Sequence, residues 1–223
     1  MFKLNNCLIL HKCLLSMKHT EFNDKQIQIL QVAEKLFAEK GFDGASIREI
    51  STIAAINVAM VSYYFGSKEK LLESLVIYRT SDLKIKLENL FEESLSPFAK
   101  LEKFIQFYIE KVNDHKNMHQ ILNFETSSKK RVLDSDVFTA VKKANLDILR
   151  NIIQEGQHAN FFKNDINIEL LIPTILGTYF HFNMNKSYNQ DLFNLKSESE
   201  YDNFIKNELT SHVQKTIKSL VTK

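Results

Sequence analysis

Asn57-Val58-Ala59-Met60-Val61-Ser62-Tyr63-Tyr64-Phe65-Gly66-Ser67 spells out one short helix with both of its ends marked. Asn57 is suited to accept from the unpaired N–H groups of a first turn, Gly66 to close the helix, and Ser67 to cap the next one. Spacing at three and four residues puts Val61 and Phe65 on the buried face. Ala59, Met60, Ser62 and Tyr63 therefore turn outward, together on one short, narrow rod.

Immediately upstream, Ser46 and Glu49 stand three apart, the pattern of a capping box in which serine accepts from backbone N–H and glutamate reaches back. They open a second short helix whose inward positions are Ile47, Ile50 and Ala54 and whose expected end is near Ile56. Before the turn Asp43-Gly44-Ala45, an apolar stripe of Ile27, Leu30, Ala33 and Phe37 predicts a longer helix from about Asn23. Gly41 should stop it, with Lys40 beside the exposed carbonyls. Downstream of Ser67, the positions Leu71, Leu72, Leu75 and Tyr78 carry a further helix towards Pro97.

The rest of the chain favours the same class. Five glycines and two prolines in 223 residues, with abundant Leu, Ile, Phe, Lys and Glu, suit long helices rather than turn-rich sheets. Helices are expected at about 98–115, 117–127, 136–159, 168–185 and 200–221, with the polar stretch 187–199 as a surface loop. The fold class is all-α. A net charge of +2 is too small to identify a nucleic-acid partner, because a local basic face can be offset elsewhere.

No stretch approaches the ~20 apolar residues a membrane-spanning helix needs. Residues 1–20 read as a tail without helical pattern, Met17 offering an alternative start, and Asn5, Asn6, His11 and Lys12 interrupt the apolar run a signal peptide would have. Cys7 and Cys13, the only cysteines, lie in that tail without zinc-like partners and read as free thiols of a reduced, cytoplasmic protein.

Taken in order, Ile29–Phe37, Gly41-Phe42, Ser46–Ile50, Val61–Phe65 and Ser67–Leu71 resemble the signature of the TetR family of transcriptional regulators, over about residues 23–75. The resemblance implies an N-terminal three-helix helix-turn-helix domain, residues 21–72, and a helical ligand-sensing and dimerisation domain, residues 73–223, about nine helices in all. In such a domain, base edges are read by the helix that enters the major groove, while phosphate contacts fix its register. The outward Ala59, Met60, Ser62 and Tyr63 are then the candidate DNA readers, Asn57 and Val58 are further candidate DNA contacts, and Ser46, Arg48, Tyr63, Tyr64 and Lys68 are the candidates at phosphates. Two positions depart from the family pattern. Ala55 stands where the turn commonly carries glycine, so the backbone there must tolerate a side chain, and Ser62 replaces a common tyrosine.

The resemblance further implies a homodimer on a pseudo-palindromic double-stranded operator, repression relieved by a small effector, and pairing through the two C-terminal helices. Ile172, Ile175, Leu176, Tyr179, Phe204, Leu209, Val213, Ile217 and Leu220 offer the apolar faces for that pairing, although an intramolecular core would use the same residues. Phe104, Phe107, Tyr108, Phe124, Tyr179 and Phe182 are the candidates for an apolar effector pocket, which suits a small apolar or aromatic molecule. A regulator answering to a protein partner, or to no effector, is the alternative.

Enzyme chemistry finds few parts. His115 and His119 stand one helical turn apart, and Glu155 with His158 has the spacing used in carboxylate-bridged di-iron bundles. The second pair and the additional inward glutamates of such a site are missing, so both pairs read as exposed helix faces. Neither a nucleophile motif, a phosphate-binding glycine loop nor a zinc-protease signature occurs, and no metal or cofactor is expected.

Overall fold

The computed structural model describes residues 22–92, 94–127 and 136–223; the tail with Cys7, Cys13 and Met17 lies outside the described residues. Helices run α1 Asp24–Gly44, α2 Ile47–Ile53, α3 Val58–Phe65, α4 Lys68–Glu92, α5 Pro97–Asp114, α6 Lys116–Ser127 and α7 Asp136–His158. A 3-10 turn, Ile168–Leu170, leads into α8 Leu171–Met184, followed by α9 Lys186–Leu192 and α10 Glu198–Phe204. A π segment, Ile205–Leu209, joins α10 to α11 Thr210–Val221. The all-α class holds, and the described residues exceed the expected nine helices because α9 forms and the π segment divides the last rod.

Helix α9 corrects the reading of 187–199 as a loop. Its sequence is polar, yet Asn189 is buried and its side-chain amide donates to the Phe182 carbonyl at 2.7 Å, which fastens the segment to the end of α8. One tertiary hydrogen bond to a backbone acceptor is invisible to a reading based on apolar periodicity.

Two apolar clusters organise the molecule. The first joins Ile29, Leu30, Ala33 and Phe37 of α1 to Ile50, Val61, Phe65, Leu71 and Leu75, and it also takes Met118 and Ile121 from α6. Each of those α6 side chains, fully buried, contributes about 1.5–3 kcal/mol to holding α6 against the N-terminal helices. The second cluster packs α5, α7, α8, α10 and α11 around Phe104, Ile109, Ile152, Phe162 and Tyr179. Helix α6 thus belongs by sequence to the C-terminal region and by packing to the N-terminal core.

Candidate nucleic-acid interface

Helix α1 opens on a complete capping box: the Asn23 side chain accepts from Gln26 N at 3.0 Å, and Gln26 Oε1 accepts from Asn23 N at 3.0 Å. It is broken at Gly41, whose φ of 72° lies in the left-handed region that glycine enters without a Cβ penalty. Ser46 caps α2 as expected, its Oγ accepting from Glu49 N at 3.1 Å. The Glu49 carboxylate, however, pairs with Lys40 instead of completing the box. The cap therefore has one half from α2 and a salt bridge back to α1.

The turn between α2 and α3 carries the strained residue. Ala55 has φ 51°, left-handed for a residue with a Cβ, and Ile56 N donates to Ser51 O at 2.9 Å while Ala55 N donates to Thr52 O at 3.1 Å. This is the Schellman pattern with alanine where glycine is usual. It ends α2 at Ile53, three residues before the expected end. Gln28 of α1 holds the same turn, its side-chain amide donating to Ala54 O at 3.0 Å.

Asn57 then caps α3, accepting from Ala59 N at 2.8 Å. Val61 and Phe65 are buried, as their spacing predicts. Val58, Ala59, Ser62 and Tyr63 form an exposed stripe at relative positions one, two, five and six, and Tyr63 is 81% exposed. Met60 and Tyr64 are half-buried at its margins, Tyr64 meeting Tyr63 and Phe65 edge-on with ring centroids at 5.6 and 6.3 Å. Ser46 and Arg48 are exposed on the neighbouring α2.

Lys68 occupies a different place from the one its charge suggested. Its ammonium donates to the carbonyls of Phe42 at 2.8 Å and Ala45 at 3.0 Å, and lies 4.4 Å from the centroid of the Phe42 ring. Two of its three protons are thus spent inside the chain, tying the start of α4 to the α1–α2 connection. Ser67 does cap α4, accepting from Lys70 N at 3.2 Å.

The aromatic candidates for an effector pocket separate. Phe104, Tyr108, Tyr179 and Phe182 are buried in the second core, and Phe107 packs half-buried against it. The Tyr108 hydroxyl is paired with Asn145, and burial pushes its pKa up to about 12. Phe124 is exposed on α6 and shares a cleft of about 430 Å³ with Tyr179, whereas Phe182 borders another of about 690 Å³ with Phe193 and Phe204. The six therefore do not line one common pocket: four are buried in the second core, Phe107 is half-buried against it and Phe124 is exposed.

The pairs considered for metals are otherwise engaged or exposed. Glu155 accepts from the buried Lys100 ammonium at 2.8 and 3.0 Å, and His158 is exposed. His115 and His119 are both half-buried, His119 against the Phe180 ring with centroids 5.5 Å apart, so this pair does not lie on the exposed helix face expected of it. Of the residues offered for pairing, Ile175, Tyr179, Leu209, Val213 and Ile217 are buried within the chain's own core, while Leu220 is 49% exposed. No helix among the described residues is long and apolar enough to cross a membrane.

Comparison with known proteins agrees with this geometry. Residues 29–75 match the model of bacterial regulatory proteins of the tetR family, and residues 97–212 match the tetracyclin repressor-like C-terminal domain. The HTH-type transcriptional repressor NicS of Pseudomonas putida is 30% identical over 167 residues, covering 71% of this chain and 75% of that one. The ketosteroid regulator KstR2 of Mycobacterium tuberculosis superposes with a TM-score of 0.66 at 17% identity, over 91% of this chain and 97% of that one. FadR of Bacillus subtilis, solved with stearoyl-CoA, gives 0.65 at 21% identity, over 86% and 97% of the two chains. These relatives are regulators, not enzymes. With both parts of the chain matched by the family's models and a repressor 30% identical over most of its length, this chain belongs to the TetR family of DNA-binding transcriptional regulators.

Proposed function

We propose that the protein is a homodimeric repressor that holds a pseudo-palindromic operator through α3 and leaves it when a small effector binds the C-terminal helices. The observation that carries this reading is the exposed stripe Val58, Ala59, Ser62 and Tyr63 on a helix capped at both ends. A solvent-facing valine and an 81% exposed tyrosine contribute little to the fold, so their placement side by side suits a partner surface.

Small side chains at Ala59 and Ser62 let the helix approach base edges, and Asn57, Val58 and Met60 flank them. Tyr63, Tyr64, Ser46 and Arg48 take the phosphates on either side. Lys68 serves as the clamp that keeps α4 against the α1–α2 connection.

The second chain of the dimer packs on the outer face of α8 and the final rod, where Gly177, Thr178, His181, Phe204 and His212 border an open groove. Most of the apolar residues first suggested for that interface are already used inside the chain. Replacing Tyr63 with alanine tests the reading: the variant should unfold at the wild-type temperature while operator affinity falls about tenfold or more, in line with the ~1.5–3 kcal/mol of a hydrogen bond to a charged group. Equal affinity would remove α3 as the reader.

A second reading, a regulator that answers to a protein, draws on the exposed Met184, Tyr188 and Leu192 around α9. Under it, small molecules that bind the sensor leave operator affinity unchanged while substitution of Tyr188 and Leu192 abolishes regulation.

A further inference from the structure

Helix α6, like α4, is an element through which the two halves of the chain touch. Its Met118 and Ile121 are buried in the reader's core, and Gln120 donates to the Ala38 carbonyl of α1 at 3.2 Å. Near its end, the Phe124 ring stands so close to Gly41 that a methyl on that glycine would meet Cε1 at 3.0 Å. Gly41 is the left-handed break of α1, and the next residue, Phe42, supplies the ring and carbonyl on which Lys68 is held. A displacement of Phe124 is therefore delivered to the residue that sets the α1–α2 connection and, through Lys68, to the start of α4.

Phe124 and Gln120 also line a cleft of about 430 Å³ between α6 and α8. Phe180 and His119 form an aromatic pair across it, Asn183 adds a primary amide and Met184 a thioether. Among the described residues, the ammonium at its edge, that of Lys116, is already paired with Asp202 at 2.7 Å. Burial, together with the nearby His115 and Lys111 charges, keeps the His119 imidazole neutral at physiological pH, its pKa lowered to about 4. The lining thus offers flat apolar faces and neutral hydrogen-bonding groups without an uncompensated charge.

We infer that the α6–α8 cleft is an effector site for an uncharged planar aromatic molecule with one hydrogen-bonding edge, coupled to the reader through Phe124 and Gly41. The ring of such a molecule lies against Phe180 and Phe124, and its polar edge meets His119 or Asn183. Occupancy moves Phe124 relative to Gly41, and typical coupling of ~1–3 kcal/mol corresponds to a 5- to 150-fold change in operator affinity. The inference rests on the reading that the chain answers to a small molecule.

2-Naphthol, planar, uncharged below neutral pH extremes and bearing one hydroxyl, is the probe. Its binding is measured by calorimetry on the full chain, and its effect on operator affinity on a duplex recovered by random selection. The wild type should bind one 2-naphthol per chain and lose operator affinity at least fivefold. Phe180→Ala should weaken probe binding at least tenfold with the protein folded as judged by its thermal unfolding. Phe124→Ala, which removes one wall of the site, should bind the probe more weakly and, at saturating probe, leave operator affinity unchanged. Unchanged probe binding in Phe180→Ala, no binding by the wild type, or full coupling in Phe124→Ala would each overturn the site. Loss of operator affinity that survives Phe180→Ala places the effector elsewhere and leaves the small-molecule reading intact; a wild type that ignores both the probe and all other small molecules fails that reading itself.

Discussion

Arg79 of α4 donates to Glu34 of α1 from two nitrogens, Nε at 2.9 Å and Nη2 at 2.5 Å, with the glutamate side chain 6% exposed and the arginine 19%. The fork fixes the connecting helix against the longest helix of the reader, at the edge of a polar cleft of about 700 Å³ that also takes in Asn113, His115 and Lys116. Two charges that far from solvent depend on each other. Glu34→Gln, which leaves the guanidinium buried without its partner, should destabilise the protein by about 3 kcal/mol, whereas Glu34→Leu combined with Arg79→Met should recover most of the loss. Urea unfolding of both variants checks this. Equal losses for the single and double variants would show that shape, not charge compensation, matters there.

The turn before α3 carries a removable strain. A residue with a Cβ at φ 51° costs on the order of 1 kcal/mol relative to glycine, so Ala55→Gly should raise stability by about that amount. The hydrogen bonds from Ile56 to Ser51 and from Gln28 to Ala54 do not involve the Ala55 side chain and should persist. Chemical denaturation reads the gain, and an unchanged or lower midpoint would mean that the flexibility glycine adds to the unfolded chain cancels it.

Salt dependence separates Arg48 from Lys68. Arg48 is exposed, and its loss should flatten the slope of log affinity against log salt by about 1, the signature of one phosphate contact. Lys68→Met should lower stability and operator affinity together while leaving the slope nearly unchanged, because its ammonium holds Phe42 and Ala45. A slope that falls by about 1 in the Lys68 variant would instead put that ammonium on DNA.

His119 gives a pH signature. Burial first, then His115 and Lys111, lower its pKa from the usual 6.5 to about 4, so between those values the unfolded chain binds a proton that the folded chain does not. Stability is complete above about 6.5 and falls as pH drops towards 4. Unfolding measured near neutrality and at about pH 5 should show a larger loss for the wild type than for His119→Asn. Identical losses would mean that the imidazole titrates freely.

How much of this was legible in the sequence follows from the range of each interaction. The caps Ser46, Asn57 and Ser67, the break at Gly41 and the buried Val61 and Phe65 all depend on residues within one turn, and all are in place. The unusual backbone at Ala55 was foreseeable from the absence of glycine. The internal role of Lys68 was not legible because its acceptors are backbone carbonyls 23 and 26 residues away, and carbonyls leave no trace in residue type. The Glu34–Arg79 fork spans 45 residues and gave no periodic signal. For the aromatic residues, periodicity separates buried from exposed but says nothing of which rings share a cleft, so Phe124 was grouped with core residues that it does not join.

Selection of bound sequences from random duplexes at physiological salt, using the wild-type protein, addresses the central claim most directly. A TetR-family dimer reading through α3 should enrich a pseudo-palindrome whose half-sites are separated by about one helical repeat, ~10 bp, or a multiple. Enrichment of a single unrepeated element, or no enrichment at all, would contradict the account of a dimeric operator-binding regulator.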